Sequence, residues 1–95
     1  MKFVAVIEYG DDDELVNRVR PEHRAYCARL KHGGQLAASG PFGDKPGALM
    51  IYEADSVEAA QALLNADLFH LAGVFQNWTI RPWTAATANR ELFPL

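Results

Sequence analysis

The hydrophobic positions of this chain fall into short runs, which predict four strands and two main helices. Residues 3–7 and 48–52 are apolar without alternation, which is typical of strands covered on both faces. Apolar positions recur at helical spacing after the helix-capping Ser56, and this helix is expected to end near Asp67. The remaining predicted elements are a helix over residues 21–31 that opens at Pro21, strands over residues 36–39 and 74–83, and a short further turn at residues 68–73.

This order of elements, βαββαβ, predicts a ferredoxin-like α+β fold with an antiparallel sheet and both helices on one face. Because the helices cover one face only, the other face keeps half of the apolar side chains of residues 3–7 and 48–52. Such an apolar area predicts a homodimer in which two chains join sheet to sheet. Residues 84–95 have no clear pattern, and we expect this tail to lie at the dimer interface.

Length and charge narrow the class of protein. The chain of 95 residues fits a single domain, 1–95, with its core over residues 2–83, and its 49% of apolar residues exclude a disordered chain. A net charge of −3 lacks the basic excess that nucleic-acid binding needs. No apolar run approaches the roughly 20 residues of a membrane span. We therefore expect no nucleic-acid or membrane partner.

The cysteine count and the N-terminus bear on the compartment. Cys27 is the single cysteine, which excludes an internal disulfide and a multi-cysteine zinc site. Glu8 interrupts the N-terminal apolar run too early for a signal peptide. The acidic run at residues 11–14 fits a solvated loop or a helix start better than a cation site. A reduced, cytoplasmic domain is expected.

The predicted topology brings distant polar residues to one end of the sheet. His23 lies near the start of the first helix, and Gly40 and Pro41 end the second strand. Asp67 lies where the second helix finishes, at the same end of the sheet. An imidazole is disfavoured at a helix N-terminus and a carboxylate at a C-terminus, so pairing His23 with Asp67 would offset both penalties. An Asp that orients an imidazole makes it a usable general acid or base near neutral pH.

Each of these residues also has a structural interpretation. A single histidine on an apolar helix face is more often a satisfied core residue than a catalyst, and Asp67 fits a turn former that bonds nearby backbone. Cys27 fits buried packing, whereas Arg20 fits an exposed ion pair or the binding of an anionic substrate. A metal site from His23, Asp67 and His70 has no recognisable ligand spacing. We therefore predict neither a metal nor a cofactor.

An ordered set of motifs runs from the first strand to Trp83. Its members are Arg20-x-x-His23, Leu30, Gly34, Gly40-Pro41, Gly47, Ser56 with Ala59-Ala60, Asp67-x-Phe69, Gly73-Val74 and Pro82-Trp83. No single piece is specific, but the ordered set resembles the YCII-related (YciI-like) domain. That family is similar in fold to muconolactone isomerase and other dimeric α+β barrel proteins, so the resemblance implies a dimeric α/β barrel.

The resemblance also implies a function. It implies a His–Asp pair as the active site, which corresponds here to His23 and Asp67. The family's usual Asp-Pro-Phe reads Asp67-Leu68-Phe69, and loss of the proline is expected to relax the backbone after Asp67. One relative is a dehydrochlorinase of chlorinated hydroxyhydroquinones. This implies metal-free acid–base chemistry, either elimination (dehydrochlorination) or isomerisation, on a small cyclic or carbonyl-bearing compound.

We therefore predict that His23 moves the proton and that Asp67 fixes its tautomer. The predicted substrate-binding residues, in a pocket between the helices and the sheet, are Arg20, Tyr26, Ser39, Gly40, Pro41 and Phe69. The alternative is a non-catalytic module on the same dimeric scaffold, which binds a small ligand or serves an accessory role.

Overall fold

The computed structural model describes residues 1–93 as four strands, three α-helices and a final 3-10 turn. The strands are β1 (Lys2–Tyr9), β2 (Leu36–Pro41), β3 (Gly47–Glu53) and β4 (Phe75–Trp83). The helices are α1 (Asp13–His32), α2 (Val57–Asn65) and the single-turn α3 (Leu68–Leu71), and the 3-10 turn spans Arg90–Leu92. The predicted βαββαβ order is confirmed, with α3 as the short further turn before β4.

The strands form one antiparallel sheet in the order β2-β3-β1-β4. The central strands β1 and β3 are not consecutive in sequence, because α1 and β2 intervene and carry the chain to the edge and back. This split βαβ arrangement is the ferredoxin-like α+β fold that the pattern predicts.

Alternate residues of the central strands point to opposite faces of the sheet. Phe3, Ala5 and Ile7 of β1 are buried and belong to the core cluster that α1, α2 and α3 complete. We call this the covered face. The other face, the open face, has an apolar hollow of about 450 Å³ lined by Val4, Val6, Leu49, Ile51, Thr79, Arg81, Pro82 and Trp83.

Helix α1 begins at Asp13, so the predicted start at Pro21 is wrong. The acidic run provides the start: the Asp12 carboxylate accepts a hydrogen bond from the Leu15 N–H at 3.0 Å, and acidic residues occupy the first turn, where negative charge is favoured. Pro21 lies inside the helix and removes one backbone hydrogen bond, which this long helix tolerates. His23 is therefore a mid-helix residue, and the predicted N-terminal penalty on its charge does not arise.

Helix α2 ends at Asn65 with Ala66 as its C-cap, so Asp67 follows directly after this helix, near the predicted end. Ser56 caps α2 as predicted, since its Oγ accepts the Ala59 N–H at 3.1 Å. Asp67 is also the N-cap of α3, where Oδ1 accepts the Phe69 N–H at 2.9 Å. A carboxylate is favoured at a helix N-terminus, so the start of α3 offsets the penalty expected at the end of α2.

The tail after Trp83 lies on the surface: residues 84–93 are all exposed. The predicted role of residues 84–95 at a dimer interface stays a prediction, and Pro94 and Leu95 lie outside the described residues. Between Met1 and Phe93, no helix has both the length and the apolar character that crossing a bilayer requires.

Candidate active site

His23 and Asp67 are in direct contact, which confirms their predicted proximity. His23 Nδ1 lies 2.7 Å from Asp67 Oδ1, although 44 positions separate the two residues in sequence. The Asp67 side chain is completely buried, whereas 13% of the His23 side chain is exposed. Because an ionised carboxylate can only accept, His23 donates from Nδ1 and its lone pair lies on Nε2.

The two oxygens of Asp67 differ in their surroundings. Oδ1 accepts from both His23 Nδ1 and the Phe69 N–H, which fixes the orientation of the carboxylate. Oδ2 is buried and has no hydrogen-bond partner among the described residues. Among the described side chains, His23 is thus the hydrogen-bond partner of this carboxylate, whose negative charge supports the positive charge that the imidazole acquires when Nε2 takes a proton.

Leu68 occupies the first position of α3, where the family's usual motif has proline. The backbone N–H at this position has no partner within the helix, which is why proline fits there and why leucine costs little. Asp67 keeps both of its contacts with leucine at this position, and the expected relaxation of the backbone stays a prediction.

Phe69 fixes the plane of the His23 ring. The two rings stack with their centroids 4.0 Å apart and an angle of 14° between their planes. Phe69 is itself buried, and Tyr9 packs edge-on against it at a centroid distance of 5.3 Å. The imidazole is thus restrained by a hydrogen bond in its plane and by an aromatic ring across its face.

His23 lines a cavity of about 250 Å³ between α1, α3 and the covered face. The predicted binding residues that line it as well are Arg20, Ser39, Gly40, Pro41 and Phe69. A Cβ atom at Gly40 would meet nothing within 4 Å, so the backbone there borders open space. The structure therefore brings most of the predicted residues together at the end of the sheet where β1 and β2 finish.

Tyr26 is outside the lining of this cavity. Its ring is buried in the core and its hydroxyl donates to the Leu63 carbonyl at 2.7 Å, which ties α1 to α2. The predicted role of Tyr26 in substrate binding therefore lacks a contact with the cavity.

Five residues that line the cavity were not predicted from the sequence to do so: Tyr9, Arg24, Cys27, Ala48 and Met50. The sequence offers a signal for three of them, because Arg24 follows Arg20 by one helical turn, and hairpin pairing places Ala48 and Met50 opposite Pro41 and Ser39.

Tyr9 comes from the end of β1. Burial raises the pKa of Tyr9 to about 12, with the negative charge of Asp67 as a second cause. The Tyr9 hydroxyl therefore stays protonated at neutral pH and is a hydrogen-bond donor at the cavity.

Cys27 lies one turn after His23, with Sγ 3.6 Å from His23 Nε2. Burial raises the pKa of the Cys27 thiol to about 11, and the charge of Asp67 adds to this effect. Since the thiolate is the nucleophilic form, a protonated thiol here fits packing better than nucleophilic attack.

His23, Cys27 and Asp67 each offer a donor atom within 4.8 Å of the others, the spacing of a candidate metal site. A metal ion there would have to displace the His23–Asp67 hydrogen bond and deprotonate the Cys27 thiol. His70 lies outside this cluster, against Trp78 at a centroid distance of 5.2 Å.

Comparison with known proteins identifies the family. The model of the YCII-related domain matches residues 1–84. The chain belongs to the YCII-related family. Among its relatives are the proteins YciI of Escherichia coli O6:H1 (strain CFT073) and of Shigella flexneri, each 36% identical over 89 aligned positions, covering 79% of this chain and 91% of the relative.

A solved structure with the same fold is that of the 5-chloro-2-hydroxyhydroquinone dehydrochlorinase TftG from Burkholderia phenoliruptrix AC1100, in complex with 2,5-dihydroxybenzoquinone. It aligns with this YCII-related chain at a TM-score of 0.78 and 22% identity, covering 88% of this chain and 94% of TftG. The likeness confirms the predicted ferredoxin-like α+β fold.

Proposed function

We propose that this YCII-related protein is an acid–base enzyme for a small cyclic or carbonyl-bearing compound. In this proposal His23 takes or delivers the proton, and Asp67 orients the His23 ring. One observation carries it: the 2.7 Å bond from His23 Nδ1 to the buried Asp67 Oδ1 leaves the ring's lone pair on Nε2, 3.6 Å from the Cys27 thiol, in a side chain that lines a cavity.

In the His23–Asp67 pair, the buried carboxylate orients the ring and the accessible imidazole transfers the proton. A neutral imidazole that donates from Nδ1 has its lone pair on Nε2, the atom that acts as a general base. When Nε2 takes a proton, the imidazolium is stabilised by the ionised Asp67, which itself does not take up the proton. The stacked Phe69 ring keeps the imidazole in the orientation that proton transfer needs.

Proton transfer of this kind supports elimination or isomerisation. In elimination, Nε2 accepts a proton from the substrate, the electron pair left behind forms a double bond, and a leaving group such as chloride departs with its bonding pair. In isomerisation, the electron pair is held on a carbonyl oxygen until the proton returns at another carbon. The fold shared with TftG, a dehydrochlorinase solved with a small ring compound, supports elimination as the first reaction to test.

Turnover of 5-chloro-2-hydroxyhydroquinone and of related chlorinated phenols, followed by chloride release, tests the role of His23. We expect His23→Ala to lower kcat by about 10²–10⁴-fold, the usual contribution of general acid–base catalysis, with an unchanged circular dichroism spectrum. His70→Ala is the matched control, because its ring packs against Trp78 away from the cavity. Turnover retained in His23→Ala would contradict the proposal.

Binding measured beside turnover separates catalysis from mere binding. We expect Asp67→Asn to lower kcat on the chlorinated substrate, because a neutral amide no longer supports the imidazolium, and to leave the Kd for 2,5-dihydroxybenzoquinone unchanged. A chain that binds this compound but turns over none of the substrates would favour the non-catalytic binding module.

We also propose that two copies of the chain associate through the open face. Val6 and Trp83 are 42% and 44% exposed there, beside other apolar side chains of the central strands. A self-complementary apolar surface of this kind fits an isologous dimer. A cytoplasmic location belongs to the same proposal, since the free Cys27 fits a reducing compartment.

Light scattering on the intact chain tests the dimer. Val6→Asp should halve the mass, because it puts a charge into the centre of the apolar contact. Val57→Asp is the matched control, since Val57 is 40% exposed but lies on α2, away from the open face. A wild-type mass of one chain would overturn the proposal.

A further inference from the structure

We propose that a second hollow beside the candidate active site is a subsite for an apolar substituent of the ligand. The ligand is then a ring compound with a hydrocarbon side group, and not a bare ring. This proposal rests on the proposed function, because it names part of the substrate of the same site. Three observations carry it: the two hollows share lining residues, the second hollow has a mainly apolar wall, and an exposed phenylalanine is held at its edge.

The second hollow lies next to the cavity of His23. It has a volume of about 350 Å³ and lies between the first half of α1 and the loop that joins β2 to β3. Tyr9, Arg20 and Pro41 line both hollows. A ligand in the cavity of His23 therefore lies beside residues that also border the second hollow.

Helix α1 passes along both hollows with one face. Val16 and Arg20 of the second hollow and His23 of the first follow one another at offsets of four and three residues. Because α1 begins at Asp13, its rise of about 1.5 Å per residue places Val16 roughly 10 Å from His23 along the helix axis. A ligand that reaches from the imidazole into the second hollow must therefore be longer than a single six-membered ring.

The second hollow has a mainly apolar wall and no net charge. Val16, which is 8% exposed, belongs to this wall on α1, and Phe42 and Pro46 belong to it on the β2–β3 loop. The charged lining residues, Asp13 and Arg20, have opposite signs. An uncharged hydrocarbon group fits such a hollow, since its transfer from water to an apolar wall is favourable.

Phe42 is held at the edge of this hollow although it is 38% exposed. Its N–H donates to the Gly47 carbonyl at 3.0 Å, and the Tyr9 N–H donates to the Pro46 carbonyl at 3.2 Å. A Cβ atom at Gly47 would clash with the Ile7 carbonyl oxygen and come within 3.2 Å of the Phe42 ring, so glycine lets the loop pack closely on β1. The backbone of this wall is thus fixed in advance, which lowers the entropic cost of binding a ligand group against it.

A side group bound in the second hollow also assists the proposed reaction. A part of the substrate that does not react can hold the reacting carbon close to His23 Nε2, because its burial fixes the position of the ring. Removal of the side group should therefore lower kcat as well as raise KM.

Two probes that differ only in a hydrocarbon group test the subsite. They are 2,5-dihydroxybenzoquinone and its 3-butyl derivative, each titrated into the full ¹⁵N-labelled chain at neutral pH, with Kd taken from the amide shifts. We expect the butyl derivative to bind at least about tenfold more tightly, as burial of several CH₂ groups gives. The shift differences between the two probes should fall on Val16, Phe42 and Gly47.

Phe42→Asn should remove the preference for the butyl derivative, because it replaces an apolar part of the wall with an amide. Phe93→Asn is the matched control, since it makes the same change at a phenylalanine that is 65% exposed on the tail, and it should keep the preference. Phe42→Leu, which keeps the wall apolar, should keep most of it. The ¹⁵N spectrum of each variant shows whether the fold is preserved.

Equal affinity for the two probes, no binding of either, or a preference that survives in Phe42→Asn would each overturn the proposal. Shift differences on Val6 and Trp83 would overturn it as well, because they would place the butyl group on the open face.

These results are distinguishable from a failure of the proposed function. If His23→Ala abolishes turnover while the two probes bind equally, the acid–base role stands and the subsite is wrong. If the butyl derivative is preferred but the chain turns over none of the substrates, the subsite stands as part of a non-catalytic binding module.

Discussion

The covered and open faces of the sheet are made by the same strands, yet they differ in what lies over them. On β1, Phe3, Ala5 and Ile7 are at most 3% exposed beneath the helices, whereas Val6, next to Ile7, is 42% exposed on the open face. Both faces are apolar because alternate residues of one continuous apolar run supply them. The difference comes from the helices and not from the composition of the strands.

Burial beneath the helices explains why the candidate site lies on the covered face and not on the open face. With α1 and α3 packed over the end of β1, Asp67 is removed from water, and His23 is its ion-pair partner among the described residues. The lining of the open face combines apolar side chains with Thr79 and Arg81, without a carboxylate or an imidazole. One face is thus suited to chemistry, and the other to association with a second chain.

The largest expected effect comes from shortening neighbouring side chains of β1 that point to opposite faces. Ile7→Ala should lower the free energy of unfolding by about 2–5 kcal/mol, because Ile7 is fully buried and its removal leaves a cavity. Val6→Ala should cost less than about 1 kcal/mol at low protein concentration. Urea denaturation measures both changes.

Ile7→Val provides a milder step if Ile7→Ala does not fold, with an expected loss of about 0.5–1.5 kcal/mol. Equal losses for Ile7→Ala and Val6→Ala in dilute solution would show that the two faces do not differ in burial in the single chain. A loss for Val6→Ala that grows with protein concentration would add support for association through the open face.

Much of this fold can be predicted from the sequence. The strands follow from runs of apolar residues, and several helix and strand ends are determined by the residues next to them. The bounds of β3 and the cap of α2 at Ser56 depend on neighbouring residues only. The start of α1, in contrast, cannot be predicted from neighbouring residues alone. Pro21 is typical of a first helical turn, and nothing local shows that the helix cap at Asp12 prevails and carries the helix through the proline.

The candidate site was predictable to the extent that topology determines it. The contact of His23 with Asp67 follows from where the elements end, but the helix-dipole argument for it is wrong for His23, which lies mid-helix, and Asp67 also caps α3. The direction in which a single side chain points could not be predicted from the sequence. Tyr26 turns to α2 because its hydroxyl finds the Leu63 carbonyl, a partner that helix periodicity does not indicate.

A smaller effect is expected from removing the Asp67 carboxylate, which pairs with His23 on the covered face. Asp67→Ala leaves the buried Phe69 N–H without its acceptor, which should lower the free energy of unfolding by about 1–3 kcal/mol. Asp67→Asn should cost less, because its amide oxygen still accepts that N–H. Urea denaturation at neutral pH compares the two variants. An Asp67→Ala variant as stable as the wild type would show that this carboxylate does not contribute to holding α3 against the sheet.

The last expected effect concerns the reactivity of the Cys27 thiol, which reports how well the covered face excludes solvent at the site. Burial raises the pKa of Cys27 from 9.0 to about 11, so at pH 8 the folded chain should react with iodoacetamide about a hundredfold more slowly than the chain unfolded in guanidinium chloride. Because the folded pKa is the higher one, the stability linked to this thiol is complete below pH 9 and is lost as the pH rises toward 11. Cys27→Ala is the blank for alkylation elsewhere. Equal rates for the folded and unfolded chains would mean that solvent reaches Cys27 freely, and that the His23 side of the cavity is as open as the apolar face on the other side of the sheet.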